Sequence, residues 1–143
     1  MSPALPSASE FASYAPAPES RSIVRIADEY GLWIGGDWSA AEGGATFTSI
    51  EPATGEALSL IAEASPADVD RAVVAARNAY DTTWRDLAPA VRGRYLFRIA
   101  RLIQERSREL AVLESIDGGK PIRESRDVDV PLAAAHFFHY AGW

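Results

Sequence analysis

The sequence predicts two β-hairpins followed by four helices, because the spacing of its apolar residues changes along the chain. Short segments with strand-like composition, separated by turn residues, lie between residues 32 and 62. From residue 65 onward the apolar residues recur at the spacing of one helix face. A complete domain that alternates strands and helices would place further strands between these helices. We therefore expect the chain to be one part of a larger fold.

Two tight turns define the predicted hairpins. Gly35-Gly36 separates the apolar segment 32–34 from Asp37-Trp38, which is typical of a two-residue hairpin turn. The second pair of strands, 46–50 and 57–62, is joined by the sequence EPATGE. Its proline and glycine favour the φ values that a tight turn requires. Both hairpins are thus predicted from turn chemistry as well as from strand composition.

Capping residues predict where helices begin and end. Ser65 is followed by Pro66 and Asp68, the pattern of an N-cap with proline in the first turn and a carboxylate near the positive end of the dipole. Gly118-Gly119 predicts the end of the third helix, since glycine readily adopts the left-handed C-cap conformation. In the fourth helix, Pro131 either introduces a kink or marks the effective start.

The four predicted helices cover most of residues 66–140, and a short helical turn is predicted within 21–30. The second begins near Pro89, the third covers about 107–116, and the fourth about 123–140. The first carries one apolar stripe, formed by Val69, Ala72, Val73, Ala76 and Tyr80.

Composition excludes several classes of partner. The 143 residues include 14 basic and 20 acidic side chains, a formal net charge of −6 that disfavours nucleic acid. No apolar run is long enough to span a bilayer, and residues 1–20 lack the features of a secretory signal. We expect no membrane association and a cytoplasmic location. Residues 1–20, rich in Pro, Ala and Ser, are predicted to be a disordered tail, and 21–143 the folded part.

The residues by themselves reveal no active site. The absence of cysteine excludes a thiolate nucleophile, a disulfide and a thiolate metal site within the chain. His136 and His139 are spaced for one helix face, yet zinc would need a third ligand, so packing is the favoured interpretation. No catalytic or cofactor-binding residue is therefore assigned within the chain.

Six motifs, in their order and spacing across 31–143, resemble the aldehyde dehydrogenase family. Each is weak alone, whereas the ordered set is specific. EPATGE resembles the family's NPATGE turn, with Glu51 where asparagine is usual. The motifs are LWIGGDW at 32–38, EPATGE at 51–56, ADVDRAV at 67–73, the helix 92–103, ESIDGGKP at 114–121 and FFHYAGW at 137–143.

This resemblance implies an α/β fold in which the hairpins and helices flank a Rossmann-like cofactor domain. It implies oxidation of an aldehyde to a carboxylic acid through a cysteine thiohemiacetal, with hydride passing to NAD or NADP. The family's catalytic cysteine, glutamate and asparagine are expected beyond residue 143, as are the main cofactor contacts. A homodimer or homotetramer is expected for the full-length enzyme.

Two interpretations of the chain itself remain open. In the first, it is the N-terminal part of such an enzyme and is inactive alone, with apolar helix faces exposed because the parallel sheet that they would cover is missing. In the second, it is a truncated, non-catalytic paralogue that binds or regulates a full-length dehydrogenase.

The resemblance implies roles for two groups of residues, a cation site and a wall of the substrate tunnel. Asp117, with backbone carbonyls near Ser49 and Ile50, matches a site that holds a structural Na⁺ or K⁺ ion in some members. The alternative is a helix-end carboxylate bonded to nearby backbone N–H groups. Val128 and Leu132 match positions that line the aldehyde entrance tunnel, and the alternative for them is ordinary core packing.

Overall fold

The computed structural model describes residues 20–143. The tail predicted at 1–20 lies, apart from Ser20, outside the described residues. The described part begins with a three-residue 3₁₀ turn, Arg21–Ile23, and continues as five short strands followed by helices. This order of elements matches the sequence prediction of strands first and helices after residue 65.

Both predicted hairpins are present. Strands β2 (Leu32–Ile34) and β3 (Asp37–Ser39) form the first, around Gly35-Gly36, and both glycines have positive φ. Strands β4 (Thr46–Ile50) and β5 (Ala57–Ala62) form the second, with the predicted boundaries.

A further strand, β1 (Glu29–Tyr30), was not predicted. It pairs in parallel with β5, so the larger sheet has the order β1-β5-β4. The helical turn predicted within 21–30 is therefore wrong beyond Ile23. A parallel pair joins residues about thirty positions apart in this chain, and local apolar spacing carries no signal for such a partner.

Four principal helical segments follow, as predicted. Helix α1 covers Pro66–Ala79 and continues into a π-helical turn at Tyr80–Trp84; α2 covers Pro89–Glu105 and α3 covers Ser107–Gly118. The fourth segment comprises the short helix α4 (Ile122–Glu124), a π-helical turn at Ser125–Asp129 and helix α5 (Val130–Ala141). Pro131 lies in the first turn of α5, so it marks the effective start of that helix.

The start of α1 shows how the capping prediction works in three dimensions. The Ser65 hydroxyl accepts the Asp68 N–H, and the Asp68 carboxylate accepts the Ser65 N–H at 2.8 Å, which completes a capping box. The same carboxylate accepts the backbone N–H of Glu42 at 3.0 Å and the Arg71 guanidinium. Asp68 is consequently buried and ties the loop after β3 to α1.

Among the described residues, helices α2 and α5 make the most extensive contact between two helices. A methyl group added at Gly93 would lie only 2.6 Å from the carbonyl oxygen of Ala141, so the backbones nearly touch there. Phe97 and Phe138 meet edge to face, with ring centroids 4.9 Å apart. The contact therefore combines a glycine with two aromatic side chains, and Ala100, also on α2, is fully buried.

The buried core is small, and the predicted apolar stripe of α1 is mostly exposed. Ala111, Val112, Ile116 and Val130 are buried around α3 and α5. Val69, Val73 and Tyr80 are exposed, which agrees with the expectation that the apolar helix faces of this chain lack the surface that they would cover. No helix within residues 20–143 has both the length and the apolar character needed to cross a membrane.

Candidate functional site

Two of the sequence motifs meet in space. The turn 51–56 lies against the glycine pair that ends α3, and a methyl group on Gly119 would lie 2.9 Å from the Pro52 side chain. Gly119 has φ +68°, the left-handed conformation predicted for the C-cap. Only glycine satisfies both the backbone angle and the close contact, so these motifs form one structural unit.

The predicted cation residues lie beside this unit. Ser49 donates its hydroxyl hydrogen bond to Asp117 Oδ1 at 2.7 Å, across 68 positions of sequence. Strand pairing is irregular at the same point, because Ser49 pairs with Ser59 whereas Ile50 pairs with Ala57. Such a bulge locally disrupts the ladder and redirects backbone groups. The structure therefore brings Asp117 to the strand end that carries Ser49 and Ile50.

The side chains brought together here carry oxygen atoms, the type of ligand that a hard cation prefers. Asp117 lies at the exposed end of α3, and its hydrogen-bond partner is the Ser49 hydroxyl, whereas the sequence alternative expected backbone N–H groups. Within residues 20–143, no group of three or more His, Cys, Asp or Glu side chains is arranged for a metal ion. Any ion here would depend on backbone oxygens.

A cavity of about 260 Å³ adjoins the same pair. Its wall includes Tyr30 of the unpredicted strand β1, together with Leu58, Leu113 and Asp117. Most of the lining is apolar, and the Ser49–Asp117 pair is at its polar side. Tyr30 of β1 thus lines the cavity beside the Ser49–Asp117 pair, a position that the sequence did not indicate.

Lys120 forms an ion-pair cluster just beyond the glycine pair. Its Nζ donates to Asp129 Oδ2 at 2.6 Å and to Glu114 Oε1 at 3.1 Å. The hydrogen bonds with Asp129 and then Glu114 raise the pKa of the Lys120 ammonium above its usual value. The cluster joins α3 to the end of the π-helical turn at 125–129, and sequence reasoning treated this lysine only as part of a motif.

The predicted tunnel residues lie on the exposed side of the fourth helical segment. Val128 is 54% exposed in the π-helical turn, and Leu132 is 50% exposed one turn later in α5. Neither residue is packed in the core of this chain. In the next turn of α5, His136 is also exposed, whereas Phe137 is half-buried.

Glu51, the residue at which the turn departs from the family motif, is paired with Arg21. The Arg21 guanidinium donates to both Glu51 oxygens, at 2.9 and 2.6 Å, and the Glu51 side chain is only 6% exposed. Thr54 donates to the same carboxylate at 3.2 Å. This bidentate pair fastens the segment before β1 to the 51–56 turn. The only sequence signal for it was the glutamate at a position where the family motif usually has asparagine.

Solved structures with this fold define the class of protein. The NAD⁺ complex of aldehyde dehydrogenase from Bacillus cereus superposes with a TM-score of 0.79 at 37% identity, over 82% of this chain and 24% of that chain. The strands and helices described above are therefore those of an α/β dehydrogenase.

Sequence comparison gives the family. The sequence profile of the aldehyde dehydrogenase family matches residues 38–143. This chain belongs to the aldehyde dehydrogenase family. The match includes the 51–56 turn, all four helical segments and both Ser49 and Asp117, so the resemblance inferred from ordered motifs is confirmed.

Individual relatives cover the same region. The putative aldehyde dehydrogenase DhaS of Bacillus subtilis (strain 168) is 49% identical over 113 residues, which are 78% of this chain and 23% of that protein. The fluoroacetaldehyde dehydrogenase of Streptantibioticus cattleyicolor is 45% identical over 121 residues, 85% of this chain and 24% of that protein. The chain thus spans about a quarter of the length of these relatives.

Proposed function

We propose that this chain is the N-terminal part of an NAD(P)-dependent aldehyde dehydrogenase that oxidises an aldehyde to a carboxylic acid. The observation that carries the proposal is the 49% identity to a dehydrogenase of which the chain spans 23%. In the proposed enzyme, a cysteine attacks the aldehyde and a glutamate activates the water that releases the acid. The nicotinamide cofactor accepts the hydride.

The chain's own residues would supply structure and a substrate surface, not the chemistry. None of its 143 residues is cysteine, so the nucleophile must come from elsewhere in the enzyme. Val128 and Leu132 would line the aldehyde entrance, since both are apolar and half-exposed. Asp117, Ser49 and Ile50 would hold a structural Na⁺ or K⁺ ion near the turn that fastens α3 to the sheet.

The exposed apolar residues support the proposal that another protein surface covers this part of the chain. Val69, Val73, Tyr95 and Leu102 on α1 and α2 are all exposed, in a chain whose buried core is small. Such surface is normally covered in a stable protein. We propose that the remainder of the same enzyme covers it, in a cytoplasmic homodimer or homotetramer.

Intact mass spectrometry of the native protein from its source, followed by an activity assay, tests this proposal. We expect a mass several times 15.5 kDa and aldehyde-dependent reduction of NAD or NADP by that protein. The purified 143-residue polypeptide should show no turnover. Turnover by this polypeptide, after controls for host enzymes, would contradict the proposal.

A second candidate follows from the same exposed surface. A native mass near 15.5 kDa would favour a truncated, non-catalytic paralogue that binds or regulates a full-length dehydrogenase. Co-purification with a longer dehydrogenase subunit, in a fixed ratio, is the result expected for that candidate.

A further inference from the structure

Lys120 connects two elements that are separated by a short loop. Glu114 lies on α3, and Asp129 is the last residue of the π-helical turn 125–129. The Lys120 ammonium lies between them, 3.1 Å from Glu114 Oε1 and 2.6 Å from Asp129 Oδ2. Each of the three side chains is about one-third exposed. One positive charge therefore holds two negative groups from different elements together.

The other end of the same turn is also fastened to α3. Ser125, the first residue of the turn, is fully buried, and its Oγ accepts a hydrogen bond from Ser115 Oγ at 3.4 Å. Both ends of the turn are thus held against α3, by Ser115 at one end and by Lys120 at the other. Val128 lies between these anchors and faces outward.

The direction of Val128 depends on the π-helical geometry. A π-helical turn contains an extra residue and is uncommon within helices unless surrounding contacts favour it. Relaxation of 125–129 towards ordinary helix would rotate Val128 relative to Leu132 in α5. Removal of the Lys120 charge would leave Glu114 and Asp129 as neighbouring like charges, which favours movement of the turn away from α3.

We propose that Lys120 is a positioning residue that holds Val128 and Leu132 in the arrangement that receives the aldehyde. This inference rests on the proposed function. Lys120 acts through Asp129 and the π-helical turn, without touching the substrate. The ion pair sets the shape of the entrance, so its loss affects aldehyde binding more than the chemical step.

The test compares variants of the full-length native protein. Lys120→Met removes the charge, Lys120→Arg retains it, and Arg101→Gln is a matched control that breaks the exposed ion pair of Arg101 with Glu105 on α2. Hydrogen exchange of residues 125–132 reports the position of the turn. Steady-state kinetics with a short and a long aldehyde, and with the nicotinamide cofactor, separate KM from kcat.

For Lys120→Met we expect faster exchange at 125–132 and a rise of about three- to tenfold in KM for the long aldehyde, the effect of losing one or two apolar contacts. The short aldehyde should be affected less, because it reaches fewer of these contacts. The cofactor KM and kcat should be unchanged. Lys120→Arg should restore most of the wild-type behaviour, and Arg101→Gln should match wild type.

Four results would overturn the inference in whole or in part. Unchanged exchange at 125–132 in Lys120→Met would show that the lysine does not hold the turn. A lower apparent kcat with unchanged KM values would indicate loss of folded enzyme, and an equal rise of the cofactor KM and both aldehyde KM values would indicate a general disturbance of the enzyme, not positioning. Absence of aldehyde oxidation in the wild-type protein would refute the proposed function, and with it the role of Lys120 in aldehyde binding. The exchange measurement would still decide whether Lys120 anchors the turn.

Discussion

Replacement of Gly93 by alanine should weaken the contact between α2 and α5, although the same change usually stabilises a helix. Gly→Ala in a helix interior is favourable by about 1 kcal/mol. In this structure, however, the added methyl would lie 2.6 Å from the carbonyl oxygen of Ala141. The closest comfortable carbon–oxygen contact is about 3.3 Å. The helices would have to separate by roughly 0.7 Å, the difference between these two distances.

The steric effect should outweigh the gain in helix propensity. Overpacking of a close contact costs about 1–3 kcal/mol, and a backbone carbonyl cannot rotate away as a side chain would. The steric cost is therefore expected in the upper half of that range, about 2–3 kcal/mol, so that the net loss in the free energy of local opening, after the gain of about 1 kcal/mol in propensity, is about 1–2 kcal/mol. Hydrogen exchange of the α2 amides measures the free energy of local opening. Each 1.4 kcal/mol that is lost corresponds to a tenfold faster exchange rate.

Gly118→Ala is the matched control. Gly118 lies at the end of α3, has no positive φ, and its added methyl would meet nothing within 4 Å. This variant should raise the free energy of local opening in the last turn of α3 by about 0.5–1 kcal/mol and so slow hydrogen exchange there. If Gly93→Ala also slowed exchange, or left that of α2 unchanged, the close approach of α2 and α5 would be refuted.

Three further predictions concern polar contacts. The hydrogen bond from Arg71 and, after it, those from backbone N–H groups hold the pKa of the Asp68 carboxyl well below its usual value. The stabilisation that the ionised carboxylate gives to the folded state is therefore present above about pH 4 and is lost only as the pH falls further. Acid unfolding should show this loss in wild type and not in Asp68→Asn. Ser65→Ala should cost about 1 kcal/mol, measured by exchange in the first turn of α1. Arg21→Ala leaves the buried Glu51 carboxylate without its cation and should cost about 1–3 kcal/mol of folding free energy. The loss should be visible as faster proteolysis before β1. Arg21→Ala combined with Glu51→Asn should recover most of it.

The sequence alone determined the features that depend on neighbouring residues. The Gly35-Gly36 hairpin, the Ser65 cap and the left-handed Gly119 are local, because a turn or a cap is decided by the φ preferences and hydrogen-bonding groups of a few adjacent residues. The family also followed from sequence, since the order and spacing of six motifs are a property of the chain and not of its packing. Both predictions were confirmed.

Only the tertiary structure decided which residues of different elements meet. The parallel strand β1, the Arg21–Glu51 pair, the contact of Gly93 with Ala141 and the Lys120 cluster join positions that no periodicity connects. The apolar stripe of α1 illustrates the same limit: its spacing shows that one face is apolar, whereas the exposed Val69 and Val73 show that this chain does not cover it. Apolar spacing reports which face a helix can bury, but burial itself requires a second surface, and that surface is defined only when the chain has folded.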